Sequence, residues 1–311
     1  MRVNVNSLRM IGIGGRAQRS PTPLIAPYLF LLPQTALVLV FVILPLVQTA
    51  WFSLNDWVLS LRPNPVFNGL DNYADLFSDA LFHQALKSTV LYVLGTTPFA
   101  LGLGLLVAIA LNQPLGRIRV FFRTAFFVPV VVPTVVVALI WVFIFDFRAG
   151  LINNVLAGLG VVPPNWFADV RFALVTVIVA SIWQQIGFAM VIFLAGLQAI
   201  PRVYYEAAAV DGANTRQQFF KVTLPLLTPT LIFALVTSII SGFKVFDQVF
   251  VMTGGGPANS TVTLVYYLYV QAFEFFDVGR GTAAAMTLLL ILALLTAVIL
   301  WAGNKQGDTD G

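Results

Sequence analysis

The 311-residue chain contains no cysteine and a single histidine, His83. Without thiols there is no disulfide framework, no thiolate metal site and no cysteine nucleophile, and one imidazole leaves little scope for histidine chemistry. Charge is scarce as well: 10% of residues are Asp, Glu, Lys or Arg, against 59% hydrophobic, and mean hydropathy is +0.90. That balance excludes a water-soluble domain, because several apolar runs reach or approach the ~20 helical residues needed to cross a bilayer core. The net charge of +4 is small for the length and implies no nucleic-acid partner. No G-x-x-x-x-G-K-[ST] loop occurs, so the chain carries no phosphate cradle of that kind. GIGGRA, residues 12–17, lacks a preceding strand and a following βαβ unit, and reads as part of a basic tail.

What is present is a series of six apolar runs, predicting an all-α polytopic membrane protein with spans at Pro27–Phe52, Ser88–Leu111, Phe121–Phe145, Phe172–Ala199, Leu226–Phe250 and Thr282–Trp301. The first run is too long for a signal-peptide h-region and is expected to be retained as a span. Pro33, Pro45, Pro98, Pro129, Pro133 and Pro229 fall in or near these runs; kinks rather than breaks are expected, since neighbouring helices can pair the freed carbonyls. Eleven of the 17 Lys and Arg fall on one side of this layout, including Arg2, Arg9, Arg16 and Arg19, Arg117, Arg119 and Arg123, and Lys305. The positive-inside rule then places both termini, and the loop of residues 200–225, in the cytoplasm. The resulting division is a basic cytoplasmic tail over residues 1–26, a six-span domain over 27–303 with an external loop at 251–281, and a cytoplasmic tail over 304–311.

Acidic residues are almost missing from the spans: Asp56, Asp146 and Asp247 fall at or beyond outer helix ends. Ion-coupled carriers keep carboxylates near the membrane midplane, so this lack argues against a secondary carrier. Neutral polar side chains do form stripes. In the fourth span Ser181, Gln184, Gln185 and Phe188 follow i, i+3, i+4, i+7 spacing; in the fifth, Thr237, Ser241, Lys244 and Gln248 share a face with Ser238 beside it. Each such residue could merely join helices. Together they suit a polyhydroxylated solute, for which amides and hydroxyls replace water and a ring covers an apolar sugar face. Lys244 could snorkel, pair with Asp247 or bind an anionic group.

Two further segments fall on the outer side. Residues 71–88, DNYADLFSDALFHQALKS, read as an interfacial amphipathic helix with Tyr73, Leu76, Phe77, Leu81 and Phe82 toward lipid or protein and His83 on its polar face. TGGGPANS, residues 253–260, reads as a tight turn.

The densest polarity occurs in YYEAAAVDGANTRQQFFKVTLPLL, residues 204–227. A short helix is expected over Arg202–Val210, ending at Asp211-Gly212; Thr215 with Gln218 suggests a capping box for a second short helix, stopped by Pro225. Neither is long enough to span, and small alanines invite close approach by a partner.

This stretch matches the EAA motif of ABC-importer permeases, E-A-A-x₃-G-x₉-[IV]-x-L-P, at Glu206, Ala207, Ala208, Gly212, Val222, Leu224 and Pro225. FRTAFFVPVVVPTVVVALIW, FLAGLQAIPRVYYEAAAVDGA and VFDQVFVMTGGGPANST resemble the carbohydrate branch, which includes maltose and glycerol-phosphate permease subunits, and the likeness extends over about residues 24–303. The resemblance implies a type I importer in the bacterial inner membrane, with a second homologous permease, two ATPase subunits that hold ATP and Mg, and an extracytoplasmic solute-binding protein. It implies no cofactor and no catalysis on this chain. It further implies that Glu206, Ala207, Ala208, Gly212, Leu224 and Pro225 couple to an ATPase, that the solute is held by the spans flanking the EAA loop, and that Gly254, Gly255, Gly256 and Pro257 are candidates to contact the binding protein. A carbohydrate or polyol is the expected solute; glycerol 3-phosphate or a glycerophosphodiester is the alternative that Lys244 suggests.

Overall fold

The computed structural model describes residues 26–307 apart from residues 62 and 115. Residues 1–25, with the basic tail's four arginines and GIGGRA, and residues 308–311 lie outside the described residues, as does Arg62. By contact the chain divides into two compact units, residues 1–48 and 49–311.

The first unit holds most of the span Tyr28–Phe52. Pro33 and Pro45 sit within this helix, and a π turn at Leu39–Ile43, closed by Leu44 N–H donating to the Leu39 carbonyl, immediately precedes Leu44-Pro45. The wider i→i+5 register relieves the clash that a proline ring would make with the preceding turn.

In the second unit, helices long and apolar enough to cross a bilayer run over Ala80–Asn112, Val170–Ala199, Thr215–Phe243 and Val278–Gly303. Ile118–Val131 and Thr134–Ile144 add a crossing if taken together, although they are bent by 101°. Pro133 thus breaks the third span instead of kinking it. Pro98, Pro129 and Pro229 each remain inside a helix. At the break Val132 and Pro133 are both extended, with ψ of 133°, as the residue before a proline prefers. The fifth span ends at Phe243, earlier than expected, and a separate short helix, Asp247–Met252, follows the turn at residues 244–246.

Two other expectations are corrected. Residues 71–88 are two elements: Asp71–Ser78 is a short helix, and Asp79 caps the N-terminus of the second span by accepting from the Leu81 N–H. Leu76 and Phe82 are fully buried, with Tyr267 packed on the Phe82 ring, so they meet protein, while Phe77 stays exposed. Pro225 does not stop a short helix: Thr215–Phe243 is one continuous helix, carried past Leu224-Pro225 by a second π turn at Phe219–Thr223. The fold is all-α as expected, with one small antiparallel pair added between helices, in which Asn55 and Asp56 face Phe67 and Val66. It is held beside the Asp71–Ser78 helix by the buried Asn72 amide, which donates to the carbonyls of Ser53 and Asn55.

The second and fourth spans form the principal packed pair. Because lipid is as apolar as leucine, close packing and not hydrophobic exclusion must hold helices together here, and small residues allow it. Gly104 lies against Ala189 and Met190, and Gly242 against Val93. Asp169 caps the fourth span, and the Arg171 guanidinium bonded to it at 2.7 Å holds its carboxyl down at about 2.

A Cβ at Gly104 would stand 2.5 Å from the Ala189 Cβ and 3.0 Å from the Met190 nitrogen, whereas one at the neighbouring-turn Gly102 would meet nothing within 4 Å. Gly104→Leu is expected to cost about 1–3 kcal/mol of overpacking and to lower the unfolding midpoint in detergent. Gly102→Leu should leave it unchanged; equal effects would contradict this packing.

Candidate solute cavity and EAA helix

A cavity of about 460 Å³ opens where the broken third and fifth spans meet the fourth. The fourth span supplies Gln184, Gln185 and Phe188, and the fifth supplies Ser238, Ser241 and Lys244 at successive i+3 steps. The turn and short helix beyond add Phe246, Asp247 and Gln248, the broken third span adds Val130 and Thr134, and the second adds Tyr92.

The walls are tied by amides. Gln248 Nε2 donates to Gln184 Oε1 at 3.2 Å, and Gln184 Nε2 lies 3.4 Å from both the Val132 carbonyl and Thr134 Oγ1. Gln184 therefore supports the carbonyl left at the proline break and links it to the short helix across the cavity. Gln185 sits with Ser181 and Thr96 around the Tyr92 hydroxyl, and Phe188 stays 45% exposed, a free aromatic face on the wall. Among the described residues the side chains of Ser241, Lys244 and Asp247 form no hydrogen bond or ion pair within the chain.

Of the nine stripe residues, Gln184, Gln185, Phe188, Ser238, Ser241, Lys244 and Gln248 line this cavity and two do not. Ser181 is fully buried and its hydroxyl donates to the Val177 carbonyl, while Thr237 donates to the carbonyls of Phe233 and Ala234. Gln248 reaches the same cavity from the short helix, not from the fifth span's face. Lys244 and Asp247 do not make the ion pair that their spacing allowed. Sequence reasoning missed Tyr92, Thr134 and Phe246. The signal for Tyr92 was a polar row in the second span, Ser88, Tyr92 and Thr96 at i, i+4, i+8, all buried.

At the other end of the fourth span, the helix Arg202–Val210 ends as expected, and Gly212 turns the chain with φ of +79° in open space. The next helix is capped one residue earlier than expected: Asn214 accepts from the Gln217 N–H while Gln217 Oε1 accepts from the Asn214 N–H. Glu206 and Ala207 are exposed, as are Val203, Tyr204 and, at 88%, Val210, so among the described residues this helix presents uncovered apolar surface. Tyr205 holds it to the fifth span through Thr223, hydroxyl to hydroxyl at 3.0 Å. Leu224 is half-buried and Pro225 exposed in the first turn of the fifth span's α-helical part.

Of the glycine turn, Gly254 and Gly255 have φ of +57° and +80°. Gly255 is buried against Val262 and Tyr266, and Thr261, bonded to Thr253 and to the Gly256 carbonyl, fastens the loop from beneath. Gly254 is exposed, and Gly256 and Pro257 are half-buried.

A helical multi-span protein with a polar cavity at broken helices and an exposed apolar helix past the far end of a cavity-lining span has the organisation of a transport permease. Residues 100–304 match the family described as the binding-protein-dependent transport system inner membrane component. The chain belongs to that family, and so is a multi-pass membrane protein of the transport-subunit type. Relatives include the sulfoquinovosyl glycerol transport system permease protein of Agrobacterium fabrum, 37% identical over 89% of this chain and 88% of its own. The trehalose/maltose transport system permease protein of Thermococcus litoralis is also 37% identical, over 90% of this chain and 94% of its own. Among solved structures, a bacterial ABC transporter involved in import of the polysaccharide alginate superposes with TM-score 0.78 at 22% identity, covering 90% of this chain and 95% of that one. That likeness fixes the type I importer permease fold.

Gln184→Leu removes the only side-chain bond to the Val132 carbonyl found among the described residues and leaves Gln248 unpaired. It should destabilise by about 1–3 kcal/mol and lower transport, whereas Thr237→Val, away from the cavity, should leave transport unchanged. Equal transport by both variants in reconstituted vesicles would contradict the assigned linkage.

Proposed function

We propose that this chain is the permease subunit of an ATP-driven, binding-protein-dependent importer of a carbohydrate. The observation that carries the reading is the cavity itself, in which Gln185, Ser238 and Ser241 offer neutral hydrogen bonds beside the exposed ring of Phe188. Amides and hydroxyls can replace the water lost by sugar hydroxyls, and an aromatic face covers the apolar side of a pyranose. The named solutes of the relatives, maltose, trehalose and sulfoquinovosyl glycerol, support the same class.

In this reading a second homologous permease completes the pathway and two separate ATPase subunits, with their ATP and Mg, supply the energy. The Arg202–Val210 helix seats on one ATPase, with Glu206, Ala207 and Ala208 at the contact and the bare Gly212 turn allowing backbone approach. The continuous helix from Thr215 to Phe243 joins that contact to Ser238, Ser241 and Lys244. Displacement at the ATPase thereby moves one cavity wall, the mechanical basis of alternating access. The termini and the EAA helix face the cytoplasm, and a loaded binding protein docks on the opposite side, where Gly254 and its glycine turn are candidate contacts.

Glu206→Lys should leave the protein in the membrane at normal yield but lower uptake by about tenfold or more, the effect of ~1.4 kcal/mol of lost contact. ATP hydrolysis by the assembled importer should then cease to respond to loaded binding protein. Uptake unchanged at normal yield would remove Glu206 from the coupling contact.

A further inference from the structure

Lys244 and Asp247 both line the cavity, from either side of the turn that ends the fifth span, and neither side chain has an ion-pair or hydrogen-bond partner among the described residues. A charge at a membrane cavity is costly unless something pairs it. Of the amides beside them, Gln184 is fully engaged, its Oε1 accepting from Gln248 Nε2 and its own Nε2 facing the Val132 carbonyl and Thr134, and Gln248 spends one hydrogen on that bond. The two charges are thus the strongest unfilled polar groups on the wall.

We infer that Lys244 and Asp247 act as a donor–acceptor clamp on adjacent hydroxyls of a neutral sugar, and select against anionic solutes. This rests on the reading of the cavity as a carbohydrate site. An ammonium donates and cannot accept, and a carboxylate accepts and cannot donate. A hydroxyl does both, so a vicinal diol satisfies the pair at once, donating to Asp247 and accepting from Lys244. Bonds to charged groups are also the stronger kind. A solute bearing phosphate, sulfonate or carboxylate would gain at Lys244 but meet the like charge of Asp247, and the wall's two charges sum to zero, leaving no net charge to draw an anion in. The anionic alternative that Lys244 suggests when considered alone therefore loses its basis once Asp247 is placed beside it. Ser241, on the same face one turn before Lys244 and likewise without a partner, adds a neutral donor and acceptor to the clamp.

The test uses the complete importer with its binding protein in proteoliposomes. Uptake is measured for maltose, trehalose and lactose, for a digalacturonate as anionic sugar, and for glycerol 3-phosphate. The wild type should move at least one neutral sugar and not the digalacturonate. Asp247→Asn and Lys244→Gln should each raise the KM for that neutral sugar by about tenfold or more, and Asp247→Asn should raise digalacturonate uptake relative to it. Co-purification of the partner subunits reports folding. KM unchanged in both variants overturns the clamp, and so does loss of the second permease from either variant, which would assign the charges to the subunit interface. Wild-type uptake of digalacturonate alone overturns the clamp while the carbohydrate reading stands. Uptake of none of the sugars, with or without glycerol 3-phosphate transport, overturns both.

Discussion

The bilayer's refusal to hydrate backbone is the constraint from which this architecture follows. An N–H or C=O left open in hydrocarbon costs several kcal/mol, so irregular backbone at membrane depth survives only where protein pairs it or a cavity is lined by it. Val130 and Thr134, on either side of the break at Val132-Pro133, line the same space as the turn at residues 244–246. Gln184 lies between them, its amide divided between the Val132 carbonyl and Gln248. Cavity and breaks are one feature: the broken helices supply the room, and the fourth span supplies the polar groups that make the breaks tolerable.

The opposite solution is used at two other prolines. At Pro45 and at Pro225 a π turn ends immediately before the residue preceding proline, and the helix continues. In the fifth span this preserves one continuous helix from the EAA segment to the cavity wall. Proline is therefore accommodated here by opening the backbone beside the cavity at Pro133 and by widening the helix register before Pro45 and Pro225.

Much of this was legible in the residues. Six apolar runs, the helix Arg202–Val210 and its glycine end need only length, periodicity and the permissive φ of Gly212. Most of the fourth- and fifth-span stripes did converge on the cavity. Which proline breaks a span was not legible: Pro98, Pro129, Pro133 and Pro229 look alike in sequence, and only at Pro133 does a neighbour on another helix take over the freed carbonyl. Ser181 and Thr237 share stripes with cavity residues, yet their hydroxyls bond their own helices, a choice made at the level of a single rotamer. Leu76 and Phe82 form an apolar face that suits lipid and protein equally, and tertiary packing alone selects protein.

The absence of cysteine makes the central claim directly measurable, because Ser241→Cys would place the chain's only thiol on the cavity wall. The assembled importer would be labelled with a water-soluble maleimide, with and without saturating transported sugar, and modification of this chain read by mass. A solute held in the cavity predicts that the sugar slows modification at residue 241 while leaving a thiol at exposed Ala157, away from the cavity and the EAA helix, unaffected. Equal labelling of Cys at residue 241 with and without sugar, in an importer that transports it, would place the solute path elsewhere.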